Sequence, residues 1–114
     1  MPFLKIQTNH ALSGTDAKGL AGKASALVAE QLGKPERYVM VSVENNPAMQ
    51  FAGTDAPLAY LELKSIGLPE TATAGISDAL CQLVASEAGI EPDRVYIEFS
   101  DAPRKMWGWN HGTF

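Results

Sequence analysis

Among the residues of this chain that could do chemistry, Pro2 is the most conditional, because its reactivity depends on what stands before it. It follows directly on Met1, and an initiator methionine is normally removed when the second residue is small. Removal exposes a secondary amine at the head of an apolar segment. Such an amine is intrinsically basic. Burial beside Phe3 disfavours its protonated form and lowers its pKa, and a neighbouring lysine lowers it further. An amine poised near the working pH takes a proton from carbon and returns it to another atom. While Met1 remains, the same nitrogen is an amide with no usable basicity.

The chain holds few rivals to this amine. It has no glycine-rich phosphate loop, no paired-cysteine metal site and no Gly-x-Ser-x-Gly elbow. His10, beside Asn9, reads as a solvated turn residue. His111 has no partner pattern, although it could line a site. Cys81 is the only cysteine, so an intrachain disulfide and a cysteine-based zinc site are ruled out. It reads as a small apolar side chain on a helix. No metal is expected.

The elements that must place Pro2 come as a duplicated pattern. Residues 2–8 alternate, with Leu4 and Ile6 on one face, and residues 59–65 repeat this with Leu61 and Leu63. A shift of 57 puts Phe3 on Tyr60, Leu4 on Leu61, Ile6 on Leu63 and Thr8 on Ser65. Ala17, Leu20, Ala21, Ala24, Leu27, Val28 and Leu32 then recur at helical spacing, as do Ile76, Leu80, Leu83 and Val84. Ser13 with Asp16 suggests a capping box, and Gly33 and Gly89 suit the position just past a helix end. Lys34-Pro35-Glu36-Arg37 and Glu91-Pro92-Asp93-Arg94 turn the chain into Val39/Val41/Val43 and Val95/Ile97/Phe99. These last segments align at a shift of 56, so the repeat slips by one residue before them.

Two tandem, pseudo-symmetric β-α-β units follow. Within each, a right-handed crossover should leave the two strands parallel. The expected class is α+β: a four-stranded sheet with two helices on one face. The uncovered face would carry Phe3, Lys5, Tyr38, Met40, Tyr60, Glu62, Tyr96 and Glu98. That mixture is too apolar for an ordinary solvent face, and an oligomer interface or a lined channel explains it better. Asn45-Asn46-Pro47 and residues 53–57 read as loops. So does the tail from Trp107 to Phe114, whose aromatic content requires that it pack on something.

At 114 residues and 12.2 kDa, one domain spanning 1–114 is expected. A hydrophobic fraction of 46% is enough for a core, but small domains bury a smaller share of their surface, which favours oligomerisation. A net charge of -4 and a pI near 5.0 argue against nucleic acid or an anionic membrane as partner. No apolar run approaches the roughly 20 residues of a membrane span. The N-terminus lacks the n- and h-regions of a signal peptide, so the cytoplasm is the expected compartment, with export by another route left open.

Met1-Pro2-Phe3, Thr8-Asn9, Gly33-Lys34-Pro35, Tyr38, Ser65-Ile66-Gly67, Pro92 to Ile97, Gly108-Trp109-Asn110 and Thr113-Phe114 carry a family likeness. Over its full length the chain resembles the macrophage migration inhibitory factor and D-dopachrome tautomerase branch of the tautomerase superfamily. The duplicated unit is that family's architecture as well. The resemblance implies a homotrimer with its sites between subunits. It also implies a cofactor-free keto–enol tautomerase (an isomerase) acting on phenylpyruvate or hydroxyphenylpyruvate, or on dopachrome-type substrates. On this basis Pro2 shuttles the proton and Lys34 holds the substrate carboxylate. Ser65-Ile66 form the segment whose Ile66 N–H meets the substrate. Tyr96 comes from the adjacent subunit, and Tyr38, Trp109 and Phe114 form an aromatic rim.

The departures matter as much. Glu98 stands where the cytokine has an asparagine, and a carboxylate there could pair with Lys34, repel an acidic substrate or raise the pKa of Pro2. Trp107 replaces a smaller aliphatic residue near the mouth. The family's Cys-x-x-Cys is replaced by Pro57-Leu58-Ala59-Tyr60-Leu61, so thiol–disulfide exchange is not expected. Two further readings remain: a cytokine-like, protein-binding homologue with vestigial catalysis, and decarboxylation or hydration by the same amine.

Overall fold

In the computed structural model, which describes residues 1–114, the first alternating segment forms strand β1 (Phe3–Thr8). The first helical stripe forms α1 (Gly14–Leu32). A short turn, Glu36–Tyr38, leads into β2 (Met40–Asn45). The second unit repeats the order with β3 (Ala59–Ile66), α2 (Thr73–Ala88), the turn Pro92–Arg94 and β4 (Val95–Ala102). The sheet runs β2-β1-β3-β4. Both outer pairings are parallel, as a crossover within each unit requires, and the central β1–β3 pair is antiparallel, with Phe3 opposite Lys64 and Thr8 opposite Ala59. The two units are therefore joined head to tail along the middle of the sheet.

Each helix presents the stripe read from its spacing. Leu20, Ala24 and Val28 of α1 and Ile76, Leu80 and Val84 of α2 are buried against Leu4, Ile6, Leu61 and Leu63. These helix triplets match at a shift of 56, which places the one-residue slip in the connection between strand and helix, before either stripe begins. Ser13 caps α1, its Oγ accepting from the Asp16 N–H at 3.0 Å; Asp16 does not reach back, so only half of the expected capping box forms. Gly33 (φ 61°) and Gly89 (φ 67°) end the two helices in the left-handed conformation.

Two hydroxyls are the only fully buried polar side chains: Thr8 and Ser65, at equivalent positions near the ends of β1 and β3. Thr8 Oγ1 donates to the Leu58 carbonyl at 2.7 Å and so ties β1 to the chain entering β3. Ser65 is engaged differently, as described below.

The face without helices is open within the chain. Met40 is 66% and Tyr96 67% exposed, while Phe3 and Tyr60 are half-buried. Lys5 and Lys64 both approach Glu62, at 3.9 and 3.8 Å. The Tyr60 hydroxyl donates to Glu98 Oε2 at 2.5 Å and lies 3.0 Å from Glu62 Oε1. One residue assigned to this face leaves it: Tyr38 belongs to the turn before β2 and packs on the tail instead. The tail is also more regular than a loop. Gly108–Trp109 (β5) and Gly112–Thr113 (β6) pair antiparallel around Asn110 (φ 48°) and His111 (φ 68°). Positive φ at both central residues is the signature of a two-residue hairpin turn. His111 thus sits exposed at a hairpin tip rather than lining a cavity. No helix is long and apolar enough to cross a membrane.

Candidate active site

The site begins at one end of the sheet, where β1 starts and β3 and β4 finish. Pro2 is buried there, and its carbonyl accepts from the Met40 N–H at 3.0 Å, extending the β1–β2 ladder by one rung. Continuing the β1–β3 register places Pro2 opposite Ser65. Beyond β3 the chain turns sharply at Gly67 (φ 72°), a conformation that costs an L side chain about 1–2 kcal/mol. The turn is fixed from β4: Asp101 Oδ1 accepts from the N–H groups of Gly67 (2.8 Å) and Leu68 (3.1 Å).

Lys34 follows the glycine that ends α1, and its side chain reaches across to this corner. Its ammonium donates to Ser65 Oγ at 3.1 Å and to the Ile66 carbonyl oxygen. An ammonium has three donors, so one remains free. Burial holds the Lys34 pKa below its ordinary value; the Asp101 carboxylate works against that shift and the Arg104 guanidinium works with it. The N-terminal amine of Met1 is lowered as well, first by burial and then by the charge of Lys34. An amine at this corner is thus biased toward its neutral, proton-accepting form.

Beside it lies a cavity of about 210 Å³, lined by Met1, Phe3, Arg37, Tyr38, Val39, Met40, Trp107, Gly108, Trp109 and Phe114. The tail builds its wall. Trp109 and Phe114 stack at 5.4 Å with 12° between their planes, and Tyr38 meets both edge-on at 5.9 and 6.1 Å. The Phe114 N–H donates to the Trp107 carbonyl at 3.1 Å, and Arg104 Nε donates to the Phe114 main-chain oxygen at 3.2 Å. The hairpin is thereby held shut over the rings.

The structure therefore gathers Pro2, Lys34, Ser65 and Ile66 at one corner, with Tyr38, Trp109 and Phe114 in the adjoining cavity. Tyr96 is not among them. It is the second residue of β4, at the opposite end of the sheet, and packs on Phe51 at 4.6 Å. Glu98 is held by Tyr60 and makes no ion pair with Lys34 within the chain. Cys81 is half-buried on α2, away from this corner, its thiol pKa pushed up mainly by burial. Two contributors went unread in the sequence: Asp101, whose contacts lie 33 and 34 residues away, and Arg37, whose guanidinium carbon lies 4.8 Å from the Tyr38 ring centre.

A duplicated β-α-β chain with an aromatic cavity beside the start of its first strand is the α+β architecture that the family likeness implied. Comparison with known proteins makes the assignment definite. The family model for macrophage migration inhibitory factor matches residues 1–114, and the chain belongs to that family. The macrophage migration inhibitory factor homologue of Brugia malayi is 38% identical over all of this chain and 99% of that protein; the factor of Mus musculus is 34% identical with the same coverage. Among solved structures, the homologue from Prochlorococcus marinus superposes with a TM-score of 0.92 at 41% identity, covering 98% of both chains.

Proposed function

We propose that this protein is a keto–enol tautomerase of aromatic α-keto acids of the phenylpyruvate type, with Pro2 as its general base once Met1 is removed. The observation that carries the reading is the corner itself. A buried Pro2, a lysine with one donor to spare and an aromatic cavity meet at one sheet end in a chain of net charge -4. Met1 lines the cavity, so its removal frees the Pro2 nitrogen and opens the space beside it.

The substrate carboxylate takes the free donor of Lys34, and the ring lies against Tyr38, Trp109 and Phe114. The Pro2 nitrogen accepts the proton from the carbon next to the carbonyl. The C–H electron pair moves into the new C=C bond, and the Pro2 ammonium returns its proton to the carbonyl oxygen, which completes the enol and restores the neutral amine; the reverse direction runs through the same groups. At this corner burial and the Lys34 charge lower the Met1 amine, and the Pro2 amine that replaces it is proposed to feel the same two effects. Ser65 serves by holding Lys34, and Ile66 presents main-chain groups to the same corner.

The exposed Met40 and Tyr96 on the uncovered sheet face support self-association of single 1–114 domains, and the family likeness makes the proposed assembly a homotrimer. Tyr96 lies at the far end of its own sheet, which suits delivery to a neighbouring subunit's cavity. The reaction as drawn needs no cofactor, and the cytoplasm is the proposed compartment. The test pairs intact-mass measurement with a phenylpyruvate assay on the same sample. Activity should track the Met1-free fraction and disappear in Pro2→Gly. Met1-free protein without turnover, or full turnover by Pro2→Gly, overturns the reading.

A further inference from the structure

The cation that faces the aromatic cavity is Arg37, whereas Lys34 is engaged behind it with Ser65 and Ile66. We propose that Arg37 is a specificity-determining residue of this cavity, selecting aromatic keto acids that carry a second negative charge at the end remote from the keto-acid group. The proposal rests on the tautomerase reading for its substrate class, and on geometry for the residue.

Three observations support it. First, the Arg37 guanidinium lies over the Tyr38 ring at 4.8 Å, which seats it at the cavity wall. Second, it is unpaired. The chain's ion pairs are Lys5–Glu62, Lys64–Glu62 and Lys23–Glu87, and no side-chain hydrogen bond from Arg37 is formed. The adjacent carboxylate, Glu36, is occupied by the Ser25 hydroxyl at 3.0 Å. Third, the two cations hold different places: Lys34 is engaged with Ser65 at the Pro2 corner, and Arg37 is the one cationic side chain among the residues lining the cavity. On the proposed binding mode, a ring seated in this cavity with its keto acid at Lys34 brings its other end among lining residues of which Arg37 has the only cationic side chain.

The chemistry of a free guanidinium narrows the ligand. Its planar fork matches a carboxylate bidentately, a geometry that an ammonium cannot reproduce. Because Arg37 is exposed, the pair gains from this geometry rather than from exclusion of water. A substrate without the second charge forfeits this contact but leaves no buried charge behind, because Arg37 is exposed. The selection is therefore a gain for dianions rather than a rejection of monoanions.

The experiment compares phenylpyruvate with its para-carboxylate derivative on Met1-free protein, the native fold of each variant checked by circular dichroism. Wild type should favour the dianion in kcat/KM on the order of tenfold, chiefly through KM. Arg37→Gln should bring the ratio close to one, and Arg37→Lys should restore only part of it. A wild-type ratio of one, or a preference that survives Arg37→Gln, overturns the proposal while phenylpyruvate turnover keeps the tautomerase reading intact. If neither compound is turned over, binding decides instead, read from quenching of Trp107 and Trp109 fluorescence. Terephthalate binding more tightly than benzoate in an Arg37-dependent manner supports the proposal, and equal affinities overturn it.

Discussion

Lys34→Met isolates the ammonium while keeping the length and apolar stem of the side chain. Three measurable consequences follow from the contacts of Lys34. Removing a charge-assisted hydrogen bond to the substrate carboxylate costs about 1.5–3 kcal/mol, so kcat/KM for phenylpyruvate should fall roughly tenfold to hundredfold, mostly through KM. The ammonium also supplies a donor to the fully buried Ser65 hydroxyl and to the Ile66 carbonyl. Leaving a buried acceptor unpaired costs about 1–3 kcal/mol, which in a domain of this size lowers Tm by roughly 5–20 °C. The third consequence concerns pH. Burial and then the Lys34 charge lower the pKa of the Met1 amine, and on the proposed chemistry the Pro2 amine takes its place at this corner. Removing the charge leaves the burial effect and raises the amine pKa. Catalysis needs the neutral amine, so the acid limb of the kcat/KM profile should move to higher pH. The assay is steady-state tautomerisation across pH on Met1-free protein, with thermal unfolding in parallel. An acid limb that stays in place or moves to lower pH, together with an unchanged KM, would refute the placement of Lys34 beside the catalytic amine.

Two further perturbations probe the supports of the site. Leu61→Ala removes a fully buried side chain from the middle of the sheet, where both units share the core, and should cost about 2–5 kcal/mol in denaturant unfolding. Asp101→Ala frees the N–H groups of Gly67 and Leu68 and should destabilise by about 1–3 kcal/mol, whereas Asp101→Asn, which keeps an acceptor oxygen, should recover most of that. Equal losses in the two Asp101 variants would show that charge, not the hydrogen-bonded clamp, holds the turn.

The fold was legible because its signals are local. Period-two alternation in residues 2–8 and 59–65 and the stripes through Leu20 and Ile76 each declare a buried face within a few residues of chain. The internal repeat then supplied the parallel pairing within each unit, while the antiparallel β1–β3 joint between the units was not read. The site was legible only in part. Lys34 and Ser65-Ile66 came from family likeness, because a contact across 31 residues leaves no local pattern. Asp101 stayed hidden for the same reason, since it caps a turn from a different strand. Arg37 stayed hidden because stacking on the adjacent Tyr38 does not show that both face a cavity closed by the distant tail. The tail was misread as a loop because Asn110-His111 lacks the glycine that usually marks a two-residue primed turn, although Asn110 and the flanking Gly108 and Gly112 were a usable hint.

Thr8 and Ser65, the two buried hydroxyls, show what the duplication made and what it could not copy. The repeat that sets Thr8 on Ser65 also sets Pro2 on Ala59, so the sheet has two seats of the same shape at opposite ends. At one seat the hydroxyl supports a lysine; at the other it merely ties down the Leu58 carbonyl. A secondary amine exists only where a polypeptide starts, and Ala59 is in mid-chain. On the proposed chemistry, catalytic capacity therefore counts chain starts rather than β-α-β units. Two copies fused end to end into one polypeptide would hold four such units and a single working amine.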